Sequence, residues 1–534
     1  MKKPTPLTDF DLRQMDEEWL SLLTPEQLQM VSGRLLRELK ETRDRLNQSS
    51  SNSSKPPSTR APWGDNSNRA KPEVAPRAPA TSGDAPAPPA SDVDNDTQPE
   101  PDTSEVTASP DSEPKVKKAG KQLGAKGFGR TQKLAVTHTD NHFPSNCAVC
   151  DQSLSREGAQ AYTGRDEIDI ADKIAGQAGL FLQVTRHRLH ASTCTCGHVT
   201  RASHHVALDD QFWDKVELGE WRLIGPRLAG AIVFLSLRMR LSRARIREFF
   251  VELFDLQLST GVLDETIREA GRAVAPLEDA MVLDIEAAAL LHADETPWKE
   301  AGKPLWLWVF VAQYTTLFLI GSRGMEILSN ALSCAFQGNL MTDGYLTYRH
   351  MNHRLRCWAH LLRKVQGLTE STDARVARAG KAMQDVLCTL MEAIYRARET
   401  PGHENGTLAS QYAVQIACLR TLCEQHNGDA NAKLRSLAVE FLLDWDVILR
   451  QVSEPYLPLT NNAAEQALRH WVIARRISYG TRSEAGTRAF ALLASVIETC
   501  RKRKVSSWSF VATVIAAARK GVALPSLPAI PAGA

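Results

Sequence analysis

Two short apolar runs that each stop on an aspartate constrain this chain more than any other feature. Leu290-Leu291-His292-Ala293 leads into Asp294, and Asn339-Leu340-Met341-Thr342 leads into Asp343. Each reads as a buried strand ending in a carboxylate. Leu305–Val311 and Leu317–Ile320 read as two more strands joined by a Gln-Tyr-Thr-Thr turn, Met325–Phe336 as a helix, and Arg356–Trp358 as a last strand before a helix from Ala359. Strands alternating with helices define an α/β class with a mixed sheet. Asp373–Arg450 is almost wholly helical and reads as an insertion. A helix after Thr460-Asn461-Asn462 returns to the sheet, and helix continues to about Ala517.

The rest of the chain is segregated by composition. Ser49–Pro114 holds 13 of the 27 prolines and 11 acidic against 5 basic residues. Such a stretch cannot bury enough apolar surface to offset chain entropy, so it reads as a disordered linker. Before it, Thr24-Pro25-Glu26-Gln27 forms a capping box for a helix whose Leu28, Ser32, Leu35, Leu39, Thr42 and Leu46 make a short heptad stripe. Self-association and packing on the same chain are both open for it. After the linker, Lys115–Lys133 is basic and Gly-rich, and Lys117, Lys118 and Lys121 can track a phosphate backbone or simply solubilise. Gln466–Lys520 carries 11 Lys/Arg against two acids, so the near-neutral total of +2 hides a basic body suited to a polyanion. The start of the chain shows no secretory signal, and the longest apolar stretch, Leu305–Ile320, is too short to span a bilayer. A reducing cytoplasm is expected for ten cysteines without a disulfide pattern.

Two constellations carry chemistry. Cys147-Ala-Val-Cys150 and Cys194-Thr-Cys196 are two close pairs, the arrangement by which a small β-rich module supplies a tetrahedral structural Zn²⁺. The second pair is C-x-C, so His198 stands as a substitute ligand. Cys334, Cys357, Cys388, Cys418, Cys423 and Cys500 read as core. The other constellation is acidic: Asp294, Asp343 and Glu465, the last in the first turns of a helix. Three such carboxylates can hold two Mg²⁺ (or Mn²⁺) ions about 3.5–4 Å apart, the device for in-line attack at a phosphodiester. Glu295 alternates to the opposite strand face and reads as supporting. Arg469 follows Glu465 by one helical turn and either touches a phosphate or pairs with Glu465. His360 and Arg363 divide equally between phosphate contact and a core or cap role. Asn461 and Asn462 read as helix caps, Trp298 and Trp471 as core. Arg222–Ala289 reads as helices, with a turn at Leu258–Val262 compatible with a helix-turn-helix.

The blocks His292-Ala293-Asp294-Glu295-Thr296-Pro297-Trp298, Thr342-Asp343-Gly344-Tyr345, Arg356-Cys357-Trp358-Ala359-His360 and Asn461-Asn462-Ala463-Ala464-Glu465-Gln466-Ala467-Leu468-Arg469 follow in order. Together they resemble the signature blocks of the bacterial insertion sequence 66 family of transposases. The stretch Tyr479–Gly486, the N-terminal helix, the Asn47-Gln48-Ser49…Ser54-Lys55-Pro56-Pro57 run and the paired cysteines resemble that family too. The resemblance implies a ribonuclease-H-like core with DDE chemistry on Asp294, Asp343 and Glu465. It also implies cleavage at transposon ends and strand transfer to target DNA, and small accessory proteins encoded nearby.

The expected organisation is an N-terminal helix or coiled coil over 1–48, the linker over 49–114, the basic segment over 115–134 and a zinc-binding module over 135–215. A helical DNA-binding region over 216–288 follows. The ribonuclease-H-like catalytic domain covers 289–480 with a helical insertion at 372–455, and a helical region covers 481–534. The expected partners are double-stranded DNA (transposon ends and target) and further copies of the chain in a homo-oligomer, with no membrane, in a nucleoid-associated cytoplasmic protein. A nuclease or resolvase that cuts without joining, and a non-enzymatic zinc DNA-binding regulator, remain open on the residues alone.

Overall fold

A computed structural model describes residues 17–48, 134–172, 179–202, 223–333, 336–399 and 407–531, with short pieces at 15, 52–53, 132, 206–207 and 217–218. The acidic linker (apart from 52–53), the basic segment with Lys117, Lys118 and Lys121, and Cys334 lie outside the described residues.

Helix α1 (Pro25–Leu46) starts at the expected box. Thr24 accepts from the Gln27 N–H, and the Gln27 side chain accepts from the Thr24 N–H. Leu28, Leu39 and Leu46 of the stripe are exposed. The helix meets the rest of the chain near its C-terminal end, where buried Asp44 accepts from the Ser371 hydroxyl at 2.6 Å and the Thr372 N–H at 3.0 Å.

The cysteine module is a small sheet. Strands β1 (His138–His142), β2 (Gln160–Ile170), β3 (Leu182–Thr193) and β4 (Val199–Arg201) are joined so that β3 pairs with all three others, parallel to β1 and antiparallel to β2 and β4. Ile168, Ile170 and Val184 on its inner face join one hydrophobic core with the helices that follow.

Those helices are α2 (Pro226–Val233), α3 (Arg243–Phe254), α4 (Thr260–Val274) and α5 (Glu278–Glu286). Helix α4 is a core element. Leu263, Ile267, Ala270 and Val274 are buried, a Cβ on Gly271 would overlap Ala489, and buried Glu269 is held bidentately by Arg519 at 2.8 and 3.0 Å. Most of this helix is packed into the core, and its exposed positions are Thr260, Gly261 and Arg268.

The central sheet has five strands: β5 (Leu290–Glu300), β6 (Lys303–Val311), β7 (Thr316–Gly321), β8 (Asn339–Thr342) and β9 (Arg354–Arg356), in spatial order β9-β8-β5-β6-β7. The first three form an antiparallel meander, and β8 and β9 lie parallel to β5 on its other side. Helix α6 (Met325–Ala331) crosses between the two halves and is shorter than the expected 325–336. Strand β5 does not end at Asp294: it pairs with β8 only through His292, then continues to Glu300 as one arm of a long hairpin with β6. Asp294 thus sits where β5 leaves its parallel neighbour. The pattern Thr296-Pro297-Trp298-Lys299 hid the continuation, because proline is poorly suited to a strand interior.

Helix α7 (Trp358–Thr369) leaves β9 and opens the insertion, built from α8 (Ala374–Glu399), α9 (Ala413–His426), α10 (Ala432–Leu443) and α11 (Trp445–Ser453) around their own core. Cys423 is buried there, but Cys418 is exposed on α9 and is no core residue. The chain returns through α12 (Asn462–Ser478), α13 (Glu484–Lys502) and α14 (Ser507–Lys520). Trp298 and Trp471 are both buried, Trp471 edge-on to Phe318 and Phe490. Helix α13 also closes the open edge of β7. The Thr499 and Ser495 hydroxyls accept from the Thr316 and Phe318 N–H groups at 3.1 and 2.8 Å, which blunts an edge otherwise free to pair with another chain.

Candidate active site and metal centres

The parallel register of β5 and β8 matches Leu340 with Leu291 and Met341 with His292. Asp294 lies two residues past the last pair on β5, and Asp343 follows directly on the end of β8. Asn461, just ahead of α12, fastens the third element: its side chain donates to the Ala293 carbonyl at 2.8 Å and lies 3.1 Å from His292 Nδ1. It occupies the N-cap position without a side-chain capping bond, so the capping role expected for it is replaced by a tie between helix and strand. Glu465 follows one turn into α12.

Asp294 feels the other two acids. Asp294 is held well above the usual carboxyl range, by burial first, then by Asp343 and Glu295, with Glu465 adding a smaller push. The Glu295 N–H donates to Asp294 Oδ1, and the Tyr345 N–H to Asp343 Oδ1, both at 2.9 Å. Among the described residues the three carboxylates do not form a set of ligand atoms within 4.8 Å of one another. Glu465 lies instead 3.7 Å from His360 Nδ1 and 3.5 Å from Arg363 Nη2. Arg469 is exposed and makes no ion pair with Glu465. A buried carboxyl raised by its acidic neighbours marks a place deficient in positive charge, and the hard oxygen donors gathered there fit Mg²⁺ or Mn²⁺.

Glu295 faces the other way. It is 8% exposed and accepts from the Tyr348 hydroxyl at 2.9 Å and from Arg323 at 2.7 Å. The Arg323 guanidinium lies between the rings of Trp306 and Tyr345, 4.0 and 3.9 Å from their centroids. Burial, with Asp343 adding, raises Glu295 to about 7 against the pull of Arg323.

Under the Asp343-Gly344 turn lies Arg356. Gly344 has φ +99°, and a Cβ there would overlap the Arg356 guanidinium. Arg356 is fully buried and held by Asp444 and Glu440, while Arg354 donates to Asp444 at 3.2 Å and Lys364 to Glu440 at 2.7 Å. The insertion is thereby clamped to the strand beside the acids. Sequence reading missed this clamp, because its carboxylates lie about 90 residues from its arginines. The Tyr479–Glu484 block has a local task. Tyr479 and Gly480 turn the chain with φ +57° and +98°, and Thr481 exchanges backbone hydrogen bonds with Lys299 and Ala301 at the tip of the β5–β6 hairpin.

The four cysteines converge. Cys147 Sγ lies 3.6 Å from Cys196 Sγ, and Cys150 Sγ 3.5 Å from Cys194 Sγ, with all four within 4.8 Å and none in a disulfide. The edge of a tetrahedron with Zn–S bonds of about 2.3 Å is about 3.8 Å. The Cys150 N–H pulls the Cys147 thiol down to about 6. The Gln152 N–H pulls on Cys150 too, but the neighbouring thiols outweigh it and push that group up to about 12. Four thiols this close cannot all ionise without a cation, so the donor set fits zinc. His198 offers its backbone carbonyl to the Cys194 N–H rather than its ring to the cluster.

A mixed sheet with one aspartate on a strand, a second just past the end of its parallel neighbour, and a third acid carried on a returning helix defines an α/β protein with an acidic centre. The chain belongs to the IS66 family of transposases: the family model described as "Transposase IS66 family" matches residues 222–489, half of its length. It is also similar to uncharacterized proteins of Sinorhizobium fredii. y4jO is 28% identical over 172 residues, covering 32% of this chain and 50% of that protein. y4qI is 21% identical over 300 residues, covering 50% and 54%, and y4hP 23% over 410 residues, covering 70% of each. The chain spans about half the length of the first two.

Proposed function

We propose that this chain is a DDE transposase that cuts DNA at transposon ends and joins the freed 3′ ends to target DNA. The observation that carries the proposal is that parallel β5 and β8 bring Asp294 and Asp343 close enough for Asp343 and Glu465 both to raise Asp294, with the helix of Glu465 tied to β5 through Asn461. The mixed sheet with its returning helices supports the ribonuclease-H-like reading of residues 289–480.

The residues divide the work as follows. Asp294 and Asp343 present oxygen ligands from a rigid sheet, and Glu465 completes the set from α12. These three carboxylates would hold magnesium or manganese, which would supply positive charge to activate the attacking oxygen and stabilise the leaving 3′-oxygen. Arg323, gripping Glu295 from behind, keeps that second carboxylate out of the set. Exposed Arg469 lies one turn beyond Glu465, placed to meet a DNA phosphate. Zinc on Cys147, Cys150, Cys194 and Cys196 fastens the ends of β3 and β4 to the turn before β2. Lys117, Lys118 and Lys121 contribute non-specific phosphate contacts, and the exposed leucines of α1 pair copies of the chain. Accessory proteins encoded nearby assist, and the complex acts on the nucleoid. The reading is tested by incubating the chain, Mg²⁺ and any neighbouring small proteins with a plasmid carrying its flanking DNA. Covalent joining of cut 3′ ends to target supports it. Cuts without joining indicate a nuclease, and binding without cuts a regulator.

A further inference from the structure

Cys357-Trp358-Ala359-His360 stands at the junction of β9 and α7, with the thiol at the helix N-cap and the imidazole one turn on. Cys357 is fully buried, and its sulfur accepts the Asn461 N–H at 3.2 Å. His360 Nδ1 is buried with no hydrogen-bond partner, since Glu465 Oε1 at 3.7 Å is too distant for one. A buried orphan nitrogen demands a reason. The Cys357 sulfur, a His360 ring nitrogen and a Glu465 carboxylate oxygen all lie within 4.8 Å of one another. Glu465 is partly exposed, which leaves the group open to solvent on one side.

We propose that Cys357, His360 and Glu465 form a binding site for a thiophilic divalent ion of the zinc class, distinct from the four-cysteine centre and sharing Glu465 with the acidic one. One sulfur, one imidazole nitrogen and one carboxylate, with a fourth position free, is the donor set of an open zinc site. Magnesium, which wants oxygen ligands throughout, is not served by it. The unpartnered, buried Nδ1 of His360 is the imidazole atom available as a lone-pair donor to the ion. On binding, the Cys357 thiol releases its proton to water, and the Asn461 N–H supports the thiolate. Arg363 opposes the cation, because its guanidinium must leave Glu465 as the ion arrives. This makes the site weaker than the four-cysteine centre. Occupancy draws Glu465 away from Asp294 and Asp343, so zinc opposes magnesium-dependent cutting. That consequence rests on the proposed function; the binding does not.

The test is a Co²⁺ titration of the full chain with zinc already held by its four-cysteine centre, followed by near-ultraviolet absorption. A thiolate-to-cobalt band is expected in the unaltered chain. It is lost in Cys357→Ser, weakened at least about tenfold in affinity in Glu465→Gln, and unchanged in Asp294→Asn. Circular dichroism checks folding, and Glu465→Gln, at a partly exposed position, carries the test should Cys357→Ser misfold. No band in the unaltered chain, or a band indifferent to both variants, overturns the site. Cobalt binding in a chain that cuts no DNA leaves the site standing and removes only the inhibitory role.

Discussion

Arg356 is fully buried beneath the Asp343-Gly344 turn, and Asp444 of the insertion, itself 1% exposed, holds its guanidinium. Breaking a buried ion pair from one side strands a charge, which costs about 3–5 kcal/mol. Asp444→Ala is therefore expected to lower unfolding free energy in urea by about that much, with Asp444→Asn intermediate because it keeps a hydrogen-bond acceptor. A change under about 1 kcal/mol would contradict the clamp.

Glu295 carries a pH signature. Its folded value is raised from 4.5 to about 7. A raised carboxyl binds its proton more tightly in the folded than in the unfolded chain. The cost of charging it is absent below 4.5 and complete above about 7. Stability of the metal-free protein falls through that window, by about 3 kcal/mol from this residue at 1.36 kcal/mol per unit. Asp294, also raised, pulls the same way. Thermal melts from pH 4.5 to 8 should show Glu295→Gln flattening the decline. A slope identical to the unaltered chain's would show that Glu295 does not cause it.

The cysteine module depends on its metal. Cys150 is exposed, so Cys150→Ser disturbs no packing yet removes one ligand. The variant is expected to lose its tightly held zinc and become open to proteolysis within residues 134–202, as is the unaltered chain after chelation. Undiminished zinc content would exclude Cys150 as a ligand.

Much of this was legible in the sequence. The starts of the two strands ahead of Asp294 and Asp343, the capping box at Thr24 and the convergence of the cysteine pairs are read from local patterns, and they formed where expected. The full length of β5 was not legible, because Pro297 argues against a strand and only pairing with β6 overrides it. Nor was the burial of α4, since an amphipathic helix does not announce how many partners surround it. His360 was legible as a residue near the acids but not as an orphan donor beside Cys357. That requires α12 to bring Glu465 and Asn461 across a gap of about a hundred residues.

The basic segment makes a salt-dependent claim. Each phosphate contact released contributes about 0.9 to the slope of log affinity against log salt. Replacing Lys117, Lys118 and Lys121 by Gln should therefore lower that slope by about 2–3 in a filter-binding series on duplex DNA. An unchanged slope means that these lysines touch no phosphate.

The central claim is that Asp294, Asp343 and Glu465 act as one metal-dependent cutting site. The direct measurement is the single-turnover rate of 3′-end cleavage on a labelled DNA end, with Mg²⁺ and then Mn²⁺, in Asp294→Asn, Asp343→Asn and Glu465→Gln. Metal assistance is worth several kcal/mol and 1.36 kcal/mol is tenfold. Each variant should therefore fall by about a thousandfold or more while still binding the DNA end. Cleavage at an unaltered rate in any one of the three would contradict the account.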